Sequence, residues 1–316
     1  MPSPLLTPEA LRAAIARLIG AEACDSARFG IAVSGGPDSM ALLAVAAESF
    51  PGRVSAATVD HGFRAESAGE AAMVAGACGP LNVPHTTLHP STPITGSLQA
   101  AARAARYALL EQWRVANGID WLMTAHHADD QLETLVMRLN RASGLTGLAG
   151  IRAQQGHVLR PLLAMRHEAL VETMRARGLP SVDDPSNRDD RFDRARIRKA
   201  LADSDLLDAD AVSSSASHLA EAEEAIDWAA GQLAGERLSI HGGMATLDAS
   251  ALPREFQRRL LLIALAAIGE EPPRGRTLDA ALEALEAGNS TMIGDHIIAA
   301  RDARWIIRPA PPRTRR

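Results

Sequence analysis

Apolar positions along the chain change period again and again, and the changes mark its elements. Helical spacing over Leu5–Gly20, behind Thr7 and Pro8, predicts a leading helix with an N-cap and a proline at its first position. Phe29–Val33 is a short apolar run that stops at Ser34-Gly35-Gly36, and Met40–Ala47 behind it is apolar at helical spacing: strand, glycine turn, helix. Arg53–Val59 predicts a second strand, ending at Asp60-His61-Gly62, with a helix over about Glu66–Ala77. His85–Leu88 predicts a third strand, and Leu98–Ala116 a long amphipathic helix carrying Arg103, Arg106 and Tyr107. Ile119–Thr124 predicts a fourth, followed at once by His126-His127-Ala128-Asp129-Asp130 and a helix to about Arg141. Strands alternating with helices imply βαβ units, hence an α/β fold whose parallel sheet has helices on both faces.

The pattern then loosens. Ser143–Gly150 carries three glycines in eight residues and is expected to be a loop. Arg160-Pro161 follows, then a predicted helix over about Met165–Arg177, turn-rich Ser181–Asp190 and the run Arg194-Ala195-Arg196-Ile197-Arg198. Composition shifts over Asp203–Ser217, acidic and serine-rich, which places a domain boundary near residue 205. Beyond it the spacing predicts a helix (Ser217–Leu233), a small hairpin (Arg237–Leu247), two helices (Pro253–Ile268 and Thr277–Ala287) and final strands around His296–Ile307. Residues 206–316 are thus expected to form a smaller, mainly helical domain.

Composition narrows the classes. A chain of 316 residues with 47% hydrophobic and 22% charged residues can bury a sizeable core, which excludes a fibrous or disordered protein. The longest apolar run, Leu260–Ile268, has nine residues, against the roughly 18 needed to cross a bilayer, so no membrane partner is expected. Pro2, Pro4, Glu9, Arg12 and Arg17 do not make a signal peptide, and a cytoplasmic protein is expected. Two cysteines, Cys24 and Cys78, can build neither a disulfide framework nor a four-cysteine zinc site.

The net charge of -5 hides a segregation. Arg138–Lys199 holds 13 basic against 7 acidic residues, and 12 of the 13 are arginine, whose planar fork suits phosphates and base edges. Ala200–Pro253 holds 1 basic against 10 acidic residues, and Arg301–Arg316 holds 6 against 1. Charge runs are commonly solvated faces; these permit a polyanionic partner without requiring one.

Three polar clusters fall at predicted strand ends, where ligands of open α/β sheets bind. In Ser34-Gly35-Gly36-Pro37-Asp38-Ser39 the paired glycines let the backbone turn tightly, with N–H groups and a helix N-terminus aimed at one spot, as a phosphate cradle requires. No lysine follows, and neither the G-x-x-x-x-G-K-[ST] nor the G-x-G-x-x-G spacing is met. The segment resembles the SGG-x-DS loop of the N-type ATP pyrophosphatases, or PP-loop enzymes, which release pyrophosphate and pass AMP to a substrate oxygen. That resemblance implies a Rossmann-like fold in which Ser34, Gly35, Gly36, Pro37, Asp38 and Ser39 bind ATP, Asp38 lies near Mg²⁺, and Asp60 and His61 border adenine and ribose.

Thr124 to Thr134, then Arg138-Leu139, Arg141, Ser143-Gly144, Gly147-Leu148 and Gly150, closely resemble a signature of the tRNA(Ile)-lysidine synthetase family. So do Arg160-Pro161-Leu162-Leu163, Asp184-Pro185-Ser186-Asn187 and the Arg194–Arg198 run, and the likeness spans roughly residues 28–200. Ala142 stands where the family usually has glycine, and Ala195 where it usually has asparagine; the further small domain of longer members is expected to be missing. The resemblance implies a ligase that adenylates the wobble cytidine in the CAU anticodon of isoleucine tRNA. Free L-lysine then displaces AMP, giving lysidine and using ATP with Mg²⁺. With the boundary near residue 205, residues 1–205 are expected to be the PP-loop catalytic domain. Residues 206–316, without catalytic clusters, running from acidic to basic and ending in Arg313, Arg315 and Arg316, are expected to bind tRNA, and a homodimer is permitted. The expected catalytic residues are Asp38, Asp130, Arg106 and Arg194, with Asp38 and Asp130 on the metal and Arg138, Arg141, Arg196 and Arg198 on tRNA. Asp129, His126 and His127 are further candidates for holding or deprotonating the amine.

Blander readings stand beside these. His126-His127-x-Asp129-Asp130 also fits a phosphohydrolase metal cluster, Arg103 and Arg106 a wet helix face, and Asp184 to Asn187 a capped turn. A tRNA thiolase is the alternative within the fold, against which the lack of any C-x-x-C argues. A non-catalytic tRNA-binding protein would have no need of intact serines, glycines and acids at three strand ends. A glutamine amidotransferase lacks room for a glutaminase domain, and a zinc cytidine deaminase lacks its signatures.

Overall fold

The computed structural model of the chain describes residues 4–62, 66–90, 98–182, 193–202, 204, 206–273, 275–301 and 304–311. The turn containing Asp184, Pro185, Ser186 and Asn187, and the terminal Arg313, Arg315 and Arg316, lie outside the described residues. Two compact units are present, residues 1–220 and 221–316. The division lies inside helix α10 (Ala209–Arg237), beyond the compositional shift near residue 205. From Ala209 onward the acidic, serine-rich stretch is helical, and the first turn of α10 buries Ala209 and Val212 with Ala128 and Leu132, all within the first unit.

In the first unit β1 (Phe29–Ala32), β2 (Val54–Val59), β3 (His85–Leu88), β4 (Trp121–Met123), β5 (Gln154–Gln155) and β6 (Val158–Leu159) form one sheet in the order β3-β2-β1-β4-β6-β5. All neighbours are parallel except the edge hairpin β5–β6. That hairpin escapes sequence reading because two-residue strands carry no alternation. Ile31 is in register with Ala56 on one side and Met123 on the other.

Alternation along the strands separates two cores. Phe29, Ile31, Val54, Ala56 and Met123 face a cluster that includes Leu11 and Ile15 of α1 (Pro8–Ile19). Met40 and Leu43 of α3 (Pro37–Ser49) and Leu170 of α8 (His167–Ala176) complete that cluster. Ala57 and Leu122 face Leu110 and Trp113 of α5 (Leu98–Ala116) on the other side. Gly30 on β1 makes that docking close: a Cβ there would come within 2.6 Å of Trp113 Cζ3. The remaining helices of this unit are α2 (Ala21–Ser26), α4 (Ser67–Cys78), α6 (Ala128–Leu139), α7 (Leu145–Leu148) and α9 (Asp193–Ala202). Thr7 caps α1 through Ala10 N, with Pro8 at its first position. The glycine-rich stretch expected to be a loop contains the single turn of α7, and the arginine run is helical as α9.

The second unit builds β7 (Leu238–His241), β8 (Met244–Asp248), β9 (Thr291–Ile293), β10 (His296–Arg301) and β11 (Arg304–Pro309) into one antiparallel sheet, ordered β7-β8-β11-β10-β9. Helices α11 (Arg254–Ala267) and α12 (Gly275–Glu286) bury Leu260, Leu261, Leu265 and Leu282 against Leu247, Ile298, Trp305 and Ile307. Its helices outnumber its strands in residues, but the hairpin and the final strands expected separately join in a single sheet.

Candidate active site

Strand order reverses at β1: its connection through α3 leads to β2 on one side, while β4 lies on the other. A crevice opens at the carboxyl ends of the strands at such a point, and it brings the turn after β1 beside the segment after β4. Gly35 adopts φ +86°, a left-handed conformation that costs a glycine little, and Val182 N donates to its carbonyl at 2.8 Å. Ser39, one turn into α3, ties the loop shut. Its Oγ accepts from Ser34 N at 3.2 Å, donates to Gly36 O at 2.9 Å and lies 3.3 Å from Ser34 Oγ. Pro37 occupies the first turn of α3, where a missing N–H costs nothing. The loop thus presents its amides at a helix N-terminus, an anion site by construction.

Asp38 points from that N-terminus into a cluster of acids and imidazoles. His167 Nδ1 lies 2.8 Å from Asp38 Oδ1, and His127 Nε2 3.6 Å from Asp38 Oδ2. His127 is also 3.4 Å from Asp129 Oδ2 and 3.6 Å from Asp130 Oδ2, while its backbone N–H donates to Asp130 Oδ2 at 3.1 Å, fastening the start of α6. Burial alone would depress the His127 pKa; Asp129, Asp130 and Asp38 outweigh it and hold it above the usual histidine value. The hydrogen bond to Asp38 raises His167 likewise. Burial works to raise Asp129, but His127, the His167 N–H and Arg166 hold its carboxyl well below the usual carboxylate range. His126 faces elsewhere: its Nδ1 lies 2.8 Å from Thr124 Oγ1, and burial keeps it neutral, its pKa pushed down to about 3.

Over residues 9–204 the chain matches the PP-loop domain family. It is 42% identical over 299 residues to the tRNA(Ile)-lysidine synthase of Zymomonas mobilis, covering 91% of this chain and 90% of that one. It is 43% identical to that of Novosphingobium aromaticivorans, covering 90% of each. The chain belongs to the tRNA(Ile)-lysidine synthase family. The U34-tRNA thiolase NcsA from Methanococcus maripaludis shares the fold, with a TM-score of 0.54 at 13% identity over 66% of this chain and 77% of that one.

The arginines beside this centre separate by helix face. Arg194 and Arg198, one turn apart on α9, both clasp Glu133, which is 3% exposed. Arg194 Nε donates to Glu133 Oε2 at 2.6 Å and its Nη2 to Asp130 Oδ1 at 2.6 Å; Arg198 Nε donates to Glu133 Oε1 at 2.5 Å. Arg196 points off that face to Asp193, as does Arg141 from beyond α6. Of the four arginines expected on tRNA, the structure therefore places Arg198 with Arg194, against the acids of the centre. Arg138 stands exposed in the last turn of α6.

At the end of β2, Asp60 accepts from Ser67 and from Gly62 N, which lowers its pKa and fastens the turn to α4. His61 is kept from protonating first by burial and then by Arg106, which approaches it from α5. Arg106 and Arg103 ride on the helix that Trp113 docks, and Arg103 lies over the Tyr107 ring at 5.0 Å.

Among the described residues, one group able to hold a metal ion is formed by Asp38, His127 and His167, with one ligand atom of each within 4.8 Å of the others. Mg²⁺ prefers oxygen and takes one or two carboxylates plus substrate phosphates. The Asp38 carboxylate fits that role beside the phosphate loop; the imidazole nitrogens suit hydrogen bonds to phosphate better than they suit this ion. Both Asp130 oxygens are engaged, one by Arg194 and one by His127 N. Sequence reasoning assigned no role to His167, Arg166 or Glu133. Glu133 was within reach, since a residue three beyond Asp130 shares its helix face; nothing local marks His167.

Proposed function

We propose that this crevice performs the two half-reactions of lysidine formation on isoleucine tRNA with the CAU anticodon. The observation that carries the reading is Asp38 at the mouth of the serine-closed phosphate loop, bonded to His167 and facing His127, which Asp129 and Asp130 flank. In the first half-reaction the C2 carbonyl oxygen of the wobble cytidine bonds to the α-phosphorus of ATP and the bond to pyrophosphate breaks. Loop amides and the α3 N-terminus hold the phosphates, and the His127 and His167 imidazoles, whose protonated forms their acids favour, oppose the developing charge. Asp38 would carry the Mg²⁺ that accompanies ATP, whose chemistry there is to neutralise phosphate charge.

In the second half-reaction the ε-amine of free L-lysine bonds to C2 as the bond from C2 to the AMP oxygen breaks. Asp130 draws the ammonium, whose proton passes to solvent water before the neutral amine attacks; His127, whose protonated form its acids favour, is not the base. Arg194, held by Asp130 and Glu133, faces the adenylate. Arg106, whose long side chain leaves α5 beside His61, lies toward the ribose side of ATP.

Sulfur transfer is the weaker reading. Cys24 and Cys78 are buried, and burial pushes both thiols up, Cys78 to about 11, away from the thiolate such chemistry needs. The second unit is assigned to holding the tRNA body in a cytoplasmic enzyme. Among the described residues no helix is long and apolar enough to cross a membrane.

Radiolabelled lysine incorporation, with pyrophosphate release followed in parallel, tests the reading. Isoleucine tRNA should incorporate lysine only with ATP, and methionine tRNA should not. Pyrophosphate release without incorporation of lysine would refute it.

A further inference from the structure

Away from the Asp38 centre, a cavity of about 280 Å³ lies between α6 and α9, lined by Met137, Asn140, Arg141, Asp193, Arg196 and Ile197. Its volume falls just under the roughly 300 Å³ at which sites for drug-sized molecules begin, which suits one small planar unit.

Three kinds of group meet there. Arg141 and Arg196 each give an Nη2 to Asp193, at 3.1 Å and 2.5 Å. One carboxylate shared by two guanidiniums leaves an excess of one positive charge at the mouth. Each guanidinium has five N–H donors in a planar fork, so donors remain for an anion. Met137 and Ile197 supply an apolar wall, and the Asn140 side chain, at the C-cap of α6, supplies an amide able both to donate and to accept. An anion fork, an apolar wall and an amide edge match the phosphate, base face and base edge of a nucleotide.

The same two helices carry both places. The N-terminal half of α6 and Arg194 and Arg198 of α9 serve the acids of the centre, while the C-terminal end of α6 and Arg196 and Ile197 of α9 make the cavity. Ten residues separate Asp130 from Asn140, about 15 Å along a helix. An unpaired strand entering the crevice therefore has a second place to seat a residue. Single-stranded RNA is read in this way, bases splayed out against side chains with phosphates on arginine.

We propose that this cavity binds one unpaired nucleotide of the RNA substrate, a neighbour of the reacting base, with its phosphate on Arg141 and Arg196 and its base between Met137, Ile197 and Asn140. The assignment rests on the tRNA-modifying reading and adds to it a seat for one neighbouring base.

The test uses the full chain, with isoleucine tRNA carrying the CAU anticodon as the probe. Asn140→Trp fills the cavity from an exposed position and leaves every charge in place. It should weaken tRNA binding roughly 5- to 100-fold, the effect of losing one base contact, with the salt dependence of binding unchanged. Arg141→Ala and Arg196→Ala should each lower the salt slope by about one. Asn140→Ala, which removes the amide and keeps the cavity open, should weaken binding by less than Asn140→Trp does. Wild-type tRNA affinity in Asn140→Trp would overturn the proposal, leaving the arginines as plain backbone contacts. An equal drop in ATP affinity would overturn it as well, since the substitution would then act through the fold. Failure of the unaltered protein to bind any tRNA would instead remove the tRNA-modifying reading.

Discussion

Asp38 and His167 stand 129 positions apart in sequence and share a hydrogen bond of 2.8 Å. A cationic imidazole on the carboxylate competes with any divalent ion that Asp38 is to hold. Its His167 partner is half exposed, so the competition is screened and worth at most about 1 kcal/mol. His167→Ala should therefore lower the Mg²⁺ concentration for half-maximal pyrophosphate release, by up to about 5-fold. A higher Mg²⁺ requirement would mean that His167 orients Asp38 and does not compete for it.

Removing the carboxylate itself should be far more damaging. Asp38→Ala is expected to cut pyrophosphate release by roughly 10²-fold or more, as losing an electrostatic contact to reacting phosphates does. The melting temperature should hold, since Asp38 is solvent-accessible in the crevice. Near-normal turnover would remove the phosphate-loop reading.

The α9 arginines should part in behaviour. Glu133→Gln leaves Arg194 and Arg198 facing a neutral amide in a partly buried site and should destabilise the protein by about 2–4 kcal/mol, less than for a fully buried pair. Arg198→Ala should cost stability and lysine incorporation yet leave the salt slope of tRNA binding unchanged, unlike Arg196→Ala. Denaturant melts and tRNA titrations at several salt concentrations measure both. A slope lowered equally by Arg198→Ala would place that side chain on the RNA.

Ala142 adopts φ +50°, where a Cβ is crowded by roughly 1–2 kcal/mol. Ala142→Gly relieves this and returns part of the gain through the greater freedom of glycine when unfolded, for a net stabilisation of up to about 1 kcal/mol. Ala142 is thus tolerated strain. A lower melting temperature in Ala142→Gly would contradict this.

Acid should weaken the fold before the carboxylates titrate. His126 in the folded protein stays neutral down to about 3, while in the unfolded chain it takes up a proton from its ordinary value of 6.5 downward. Between those values the unfolded state binds more protons, so stability falls as pH drops through the window. His127 and His167, both raised, act with the opposite sign: their contribution is full below the ordinary histidine value and is lost as pH rises through their folded values. His126→Gln should flatten the melting temperature below about pH 6.5; an unchanged acid limb would show that His126 is protonated when folded.

Period and punctuation made the first unit legible: β3 and α5 stand where the pattern puts them, and strand order carries the three polar clusters to one end. Elements of two residues, such as β5 and β6, lie below the length at which a period exists. Asp38 and His127 could be read because glycines and strand ends flag them. His167 could not, since its role arises from α3 packing on α8, a contact with no local mark. The role of Arg198 turned on which side of α9 it occupies, and helical phase within a dense arginine run needs the partner Glu133 to fix it.

Position 30 shows how an absent side chain governs chemistry elsewhere. With 2.6 Å between the site of a missing Cβ and the Trp113 ring, one added methyl group would lever α5 away from the sheet, carrying Arg103 and Arg106 with it. Drift at Gly30 would therefore surface first as weakened nucleotide handling in a protein whose every polar residue is intact. Second-site changes that shrink Trp113 would be the ones to restore it.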